Sequence, residues 1–188
     1  MRSRNFIPSL FLALGMIMLG IAALILIRQN QAAHAEQIVD PEIDCVQPAP
    51  VDYAAPPISL IDLSMSTVHL DDYLGDIVLL NTWATWCPPC LAEMPDLQAY
   101  YEKYQGAGFS LIGVNIGETR DRVLEFGLEN RLTFPLWLDP SELSLRALNT
   151  TSLPYSVVID RGGNVRYAWS GATCLSALEA IVTPLLVQ

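Results

Sequence analysis

Positive charge is scarce in this chain, and long stretches have none. Ten Lys and Arg stand against 20 Asp and Glu in 188 residues, and no Lys or Arg occurs between Arg28 and Lys103. All the acidic residues lie after residue 35, with seven basic ones, so that part carries a formal charge of −13. A surface so poor in cations excludes nucleic-acid binding. The acidity reads as solubility of an exported domain, with long-range steering of basic partners as the alternative. Histidine is nearly absent: His34 and His69 are the only two, and none follows. Zinc normally takes four ligands, so scattered cysteines with no later histidine predict no metal site. Leu91 rather than His follows Cys90, which excludes covalent haem attachment through C-x-x-C-H. The chain carries no nucleotide or flavin motif, and no cofactor is expected.

Charge is also missing from Phe6 to Ile27, an apolar run of 22 residues. A helix of that length spans a bilayer core. It exceeds the roughly 7–15 residues of a signal-peptide apolar region, which favours an uncleaved anchor. Ala33-His34-Ala35 offers the alternative of a cleavage site. Arg2 and Arg4 bias residues 1–5 to the cytoplasmic side and everything past Arg28 to the outside. Residues 36–57 hold five prolines and five acidic residues with little periodicity. Residues 28–56 accordingly read as an extended tether, followed by a folded domain over 57–188.

Within that domain, apolar and polar residues alternate over Ile58–Leu63, predicting a half-buried strand. Ser64-Met65-Ser66 reads as a turn and Thr67–Leu70 as a return strand. Asp71 or Asp72 is placed to cap a short helical turn ending at Gly75. Continuous apolar runs at Ile77–Thr82 and Phe109–Asn115 predict buried strands. Between them Leu91–Gln105 reads as a helix with Leu97, Tyr100, Tyr101 and Tyr104 on its apolar face. Further on, the pattern predicts a helix from Arg120 to Asn130 capped by Thr119 and a strand over Phe134–Leu138. A helix capped by Ser141 and reaching Leu148 comes next, with Glu142 in its first turn. Ser156–Asp160 and Val165–Ser170 form a hairpin around Arg161-Gly162-Gly163-Asn164, and a last helix covers Leu175–Leu186. Strands alternating with helices, closed by a hairpin and helix, describe a sandwich around a mixed sheet.

The chemistry concentrates at Trp83-Ala84-Thr85-Trp86-Cys87-Pro88-Pro89-Cys90. Two cysteines three positions apart at a strand-to-helix junction can bridge each other. The helix N-terminus lowers a thiol's proton affinity through its unpaired N–H groups and dipole. The thiolate is the attacking species in disulfide exchange. Pro88 and Pro89 stiffen the link and remove two donors. Glu93 lies one turn beyond Cys90 on the same helix face. Cys45 sits in the tether and Cys174 after the last strand. An intramolecular bridge between them would be structural, with two free thiols or an intermolecular bond as alternatives.

Taken with Glu93-Met94-Pro95, Leu153-Pro154 and the strand–helix insert around Val114–Leu138, this motif resembles the thioredoxin superfamily. More narrowly it resembles the membrane-anchored, exported TlpA/ResA/CcmG-like thiol-disulfide oxidoreductases. The resemblance covers about Ala55 to Leu186. It implies a thioredoxin-like three-layer α/β/α sandwich with an N-terminal β-hairpin and a central strand–helix insert. It implies Cys87 as nucleophile, Cys90 as resolving cysteine and Pro154 as a cis-proline after Leu153. Trp86, Pro88 and Pro89 are supporting residues of the motif. A carboxylate beneath the dithiol, Glu93, would exchange a proton near neutrality, since burial raises its pKa. Asn81 stands where thioredoxins proper carry a buried aspartate, which adds weight to Glu93.

The implied function is reduction of disulfides in exported proteins such as apocytochrome c or copper-delivery proteins. Electrons would come from a membrane thiol transporter of the DsbD/CcdA type. The expected protein is a single-pass monomer with its domain on the outer side of a cell membrane. A disulfide oxidase or isomerase is the alternative within the same chemistry, and a copper(I)-binding tethered module the alternative outside it. A peroxiredoxin-like peroxidase fits less well, because C-x-x-C is not its local pattern.

Overall fold

The computed structural model describes Gly20 and residues 45–187. Gly20 apart, the expected anchor at 6–27, the cytoplasmic residues 1–5, the Ala33-His34-Ala35 site and the tether up to residue 44 lie outside the described residues. Among the described residues no helix is long and apolar enough to cross a membrane.

The core strand is β4, Ile77–Trp83, with every residue buried. A strand covered on both faces needs apolar side chains in both directions, which is why the run is continuous rather than alternating. Ile77, Leu79 and Trp83 point into one core cluster, with Leu97 and Tyr100 of helix α1 (Pro88–Tyr104) and Val123 and Phe126 of α2 (Arg120–Glu129). Val78 and Leu80 point into the other, with Ile112, Val114, Trp137, Leu145 and Leu148. Asn81 shares the face of Leu79 and Trp83 by strand parity, and so looks toward α1.

β4 pairs in parallel with β5 (Phe109–Ile116) and antiparallel with β7 (Tyr155–Ile159). Outward from β5 run β6 (Leu136–Asp139), β2 (Ser59–Asp62) and β3 (Thr67–His69). Outward from β7 runs β8 (Asn164–Ser170), and then β1 (Ala49–Ala54) closes the sheet. Eight strands with helices on both faces match the expected sandwich. The β2–β3 hairpin and the β5–α2–β6 insert lie where they were expected.

Several local expectations are corrected. β1 falls inside the stretch read as tether and pairs antiparallel with β8. It is an exposed edge strand with a register shift between Pro50 and Tyr53. Such an edge admits proline and shows no alternation. Neither Asp71 nor Asp72 is the N-cap of the short 3-10 turn Leu70–Tyr73; His69 is, and the Asp72 carboxylate accepts its backbone N–H at 3.1 Å. Ser141 does not cap α3 (Leu143–Ala147). The Asp139 carboxylate does, accepting the backbone N–H groups of Leu143 and Ser144 at 2.8 and 2.7 Å. The last helix divides into α4 (Leu175–Ile181) and α5 (Thr183–Leu186). Pro184 lacks the N–H that continuous winding would need. Finally, α1 begins at Pro88 rather than Leu91. Prolines at the first two helical positions cost nothing there, because those N–H groups have no helical acceptor.

Candidate active site at the start of the first helix

Cys87 is the N-cap of α1, and its Sγ accepts the Cys90 N–H at 3.3 Å. The two sulfurs form a disulfide. Cys90 is fully buried, whereas Cys87 keeps 4% of its surface. It opens onto a groove of about 470 Å³ whose walls include Trp86, Pro88, Pro89, Ile116, Leu145 and Leu153. Trp86 stands 66% exposed at its mouth. Glu142 and Arg146 add one charge of each sign to its lining.

The Leu153–Pro154 peptide bond is cis, and Leu153 shares the groove with Cys87. Thr82 at the end of β4 fastens this turn. Its Oγ1 donates to the Tyr155 carbonyl at 3.1 Å and accepts the Tyr155 N–H at 3.2 Å. Sequence reading did not single out Thr82; its partner lies 73 residues away.

Glu93, one helical turn beyond Cys90, is fully buried. Asn81 Nδ2 donates to its Oε1 at 2.7 Å and the Thr173 N–H to its Oε2 at 2.9 Å. Asn81 Nδ2 also reaches Ser156 Oγ at 2.9 Å. Burial pushes the Glu93 carboxyl up to about 7, against the two hydrogen bonds, which favour ionisation. A group with that proton affinity both gives and takes a proton at neutral pH.

A second carboxylate, Glu118, went unnoticed in the sequence. It follows β5 and reaches into the cysteine motif. Its Oε2 accepts the Thr85 N–H at 2.7 Å and Asn115 Nδ2 at 2.8 Å, and its Oε1 accepts the Thr85 hydroxyl. Partial burial works against its ionisation. The Thr85 and Asn115 hydrogen bonds outweigh that and hold it below the usual carboxylate range.

Cys45 and Cys174 form a second disulfide across 129 residues. His69 is exposed at a strand end. Among the described residues no group of three or more His, Cys, Asp or Glu is placed to hold a metal ion.

Chemically the arrangement supports two-step exchange. A Cys87 thiolate attacks a disulfide sulfur and expels the other sulfur as a thiolate, which leaves a mixed disulfide on Cys87. Cys90 then loses its proton and attacks Cys87 Sγ. The Cys87–Cys90 bond closes as the second thiolate departs. Glu93, one turn after Cys90 on α1, is a buried carboxyl whose proton affinity suits taking up such a proton.

Comparison with known proteins gives the same picture. The AhpC/TSA family profile matches residues 51–168. The chain is 37% identical over 125 residues to the thiol-disulfide oxidoreductase ResA of Geobacillus kaustophilus, covering 66% of this chain and 72% of that one. Among solved structures, a thiol:disulfide interchange protein of the thioredoxin family from Chlorobium tepidum superposes with a TM-score of 0.64 at 28% identity, covering 75% of this chain and 98% of that one. A secreted thiol-disulfide isomerase from Corynebacterium glutamicum gives a TM-score of 0.70 at 24% identity over 77% and 95% of the two chains. That last likeness speaks to the fold alone.

Proposed function

This chain belongs to the AhpC/TSA family and is a thiol-disulfide oxidoreductase; on that premise we propose that it reduces disulfides of exported proteins from a membrane-anchored position outside the cell membrane. The observation that carries the reductive reading is the fully buried Glu93 one helical turn beyond Cys90. Closing the Cys87–Cys90 bond on a substrate requires a proton to leave Cys90 inside the protein. A carboxylate with a proton affinity near neutrality accepts it without a charged partner. The apolar run at 6–27 supplies the anchor, and the acidic domain suits a soluble exported position. The substrates are apocytochrome c cysteines or copper-delivery proteins. The electrons come from a membrane thiol transporter of the DsbD/CcdA type, and the protein acts as a monomer.

Two measurements test this. The Cys87/Cys90 reduction potential of the full chain, equilibrated against dithiothreitol, is expected near the low end of the roughly −270 to −120 mV span of such dithiols. A value near −120 mV identifies an oxidase instead. The Cys90→Ser variant, expressed in cells, is expected to hold its substrates as mixed disulfides on Cys87. Capture of no exported protein defeats the reductase reading.

A further inference from the structure

Cys174 lies between two residues whose backbone amides are both held by α1. The Thr173 N–H donates to Glu93 Oε2 at 2.9 Å, and the Leu175 N–H donates to Asp96 Oδ2 at 3.0 Å. Glu93 and Asp96 are one helical turn apart, so α1 grips this loop at two successive points of one face. The loop is gripped from outside as well. Cys45 is bonded to Cys174, and the next residue, Val46, donates its N–H to the Ala172 carbonyl at 3.0 Å. Val46 packs against the same core cluster that contains Cys90. It lies so close to Gly171 that a Cβ there would meet Val46 Cγ2 at 2.8 Å. Residues 171–174 are thus pressed between the chain at 45–46 and the helix that carries the dithiol.

We propose that the Cys45–Cys174 disulfide is a positioning device for Glu93: it clamps the 171–174 loop so that the Thr173 amide stays on the carboxylate and water stays away from it. The inference rests on the reading of Glu93 as the proton acceptor of the dithiol. The bridge touches neither substrate nor the reacting sulfurs and acts through the loop alone. The groups around Glu93 make this clamp effective. Asn81 on β4 and Ser156 on β7 are neutral. Thr173 offers an amide, and its Oγ1 has no partner. On α1 itself stand Cys90, bonded to Cys87, one turn before Glu93 and Asp96 one turn after, the latter committed to Leu175. No charged side chain contributes to the proton affinity of Glu93; burial is the largest cause. Whatever controls water access therefore controls that affinity.

The test uses the full chain in its oxidised form, with the Glu93 carboxyl carbon followed by NMR against pH. In the unaltered protein its midpoint is expected at about 7. In a Cys45→Ser, Cys174→Ser double variant the loosened loop admits water, which ends the burial of the carboxylate and takes over as donor where the Thr173 amide lets go. Burial, the largest cause, therefore decides the sign, and the midpoint is expected to fall by about one pH unit or more toward the ordinary carboxylate value. A folded double variant with an unchanged midpoint overturns the proposal, however much stability it has lost. A second measurement needs no variant. In the unaltered protein the Thr173 amide proton is expected to resist solvent exchange and to shift with the Glu93 midpoint. Exchange at the rate of an open loop, or no shift with that midpoint, overturns the proposal even if the double variant fails to fold. Both readouts are made without substrate or reductant, so they stand apart from the reduction-potential and trapping results.

Discussion

The two disulfides of this chain are the same bond put to opposite uses. One joins residues three apart at the N-terminus of α1, and the other joins residues 129 apart across the whole folded part. Closing a loop of three removes little freedom from the unfolded chain, whereas closing one of this length removes much. The short bridge can therefore open and close in each catalytic cycle with the fold nearly indifferent. The long bridge holds the fold and is of most value left closed. Their surroundings differ in the same sense. Cys87 lines the groove with Trp86 and Leu153, while Cys174 sits at the start of α4, away from that groove, with Ser176 Oγ 3.2 Å from its sulfur.

The sharpest way to break this contrast is Cys87→Ser. Disulfide exchange in a stopped-flow assay is expected to drop by at least about 1,000-fold, a barrier rise of roughly 4 kcal/mol. The thermal midpoint is expected to move by no more than about 4 °C, close to 1 kcal/mol for a domain of this size. Substantial residual exchange would mean that Cys87 is not the attacking sulfur, and an unfolded variant that the short bridge is structural too. The converse experiment removes the long bridge. Cys45→Ser with Cys174→Ser is expected to cost about 4–5 kcal/mol in urea unfolding. Exchange at Cys87 continues, with its pH dependence displaced.

Glu93 lies between the two bridges, so its titration sharpens the contrast further. A carboxyl raised from 4.5 to about 7 on folding binds its proton more tightly in the native state. It therefore stabilises the fold fully below about pH 4.5. That contribution is lost as pH rises to about 7, and the loss amounts to about 3 kcal/mol. Comparing Glu93→Gln with the unaltered protein isolates this. The pH-dependent loss is expected to vanish in the variant, leaving it the more stable of the two above neutrality. Parallel stability curves for the two proteins between pH 4 and 8 would show that the carboxyl is hydrated in the native state.

What could be seen of this in the sequence follows from how local each signal is. The motif from Trp83 to Cys90, the buried run of β4 and the Leu153-Pro154 pair are contiguous, and each carries its own reason. Glu93 is visible because helical spacing places it under Cys90. Its partners are not, since Asn81, Ser156 and Thr173 come from three separate segments that only the sheet and the 171–174 loop bring together. Asp139 was passed over as the cap of α3 because Ser141, nearer the helix in sequence, has the same capping chemistry. β1 was hidden because an exposed edge strand containing proline has the composition of a linker. The Cys45–Cys174 pairing could be framed from sequence but not decided, as nothing local ties residue 45 to residue 174.

The least visible residue also gives the gentlest test. Glu118 anchors Thr85, two positions before Cys87, with one oxygen accepting two N–H groups and the other accepting a hydroxyl. In Glu118→Gln the amide oxygen can keep both N–H donors. The amide nitrogen then faces Thr85 Oγ1, which already accepts Arg122 Nε at 3.2 Å and can turn to accept a second donor. Little is left unpaired, so the expected cost is only about 1 kcal/mol. Its pH dependence runs opposite to that of Glu93. A carboxylate held below its ordinary value stabilises the fold above that value, and its contribution disappears as acid protonates it. The variant should therefore match the unaltered protein in strong acid and fall short of it at neutral pH, with exchange at Cys87 changed by less than about threefold. A collapse of exchange in this variant would show that Thr85 holds the helix mouth in place, and would make the short bridge far more dependent on its frame than its three-residue loop suggests.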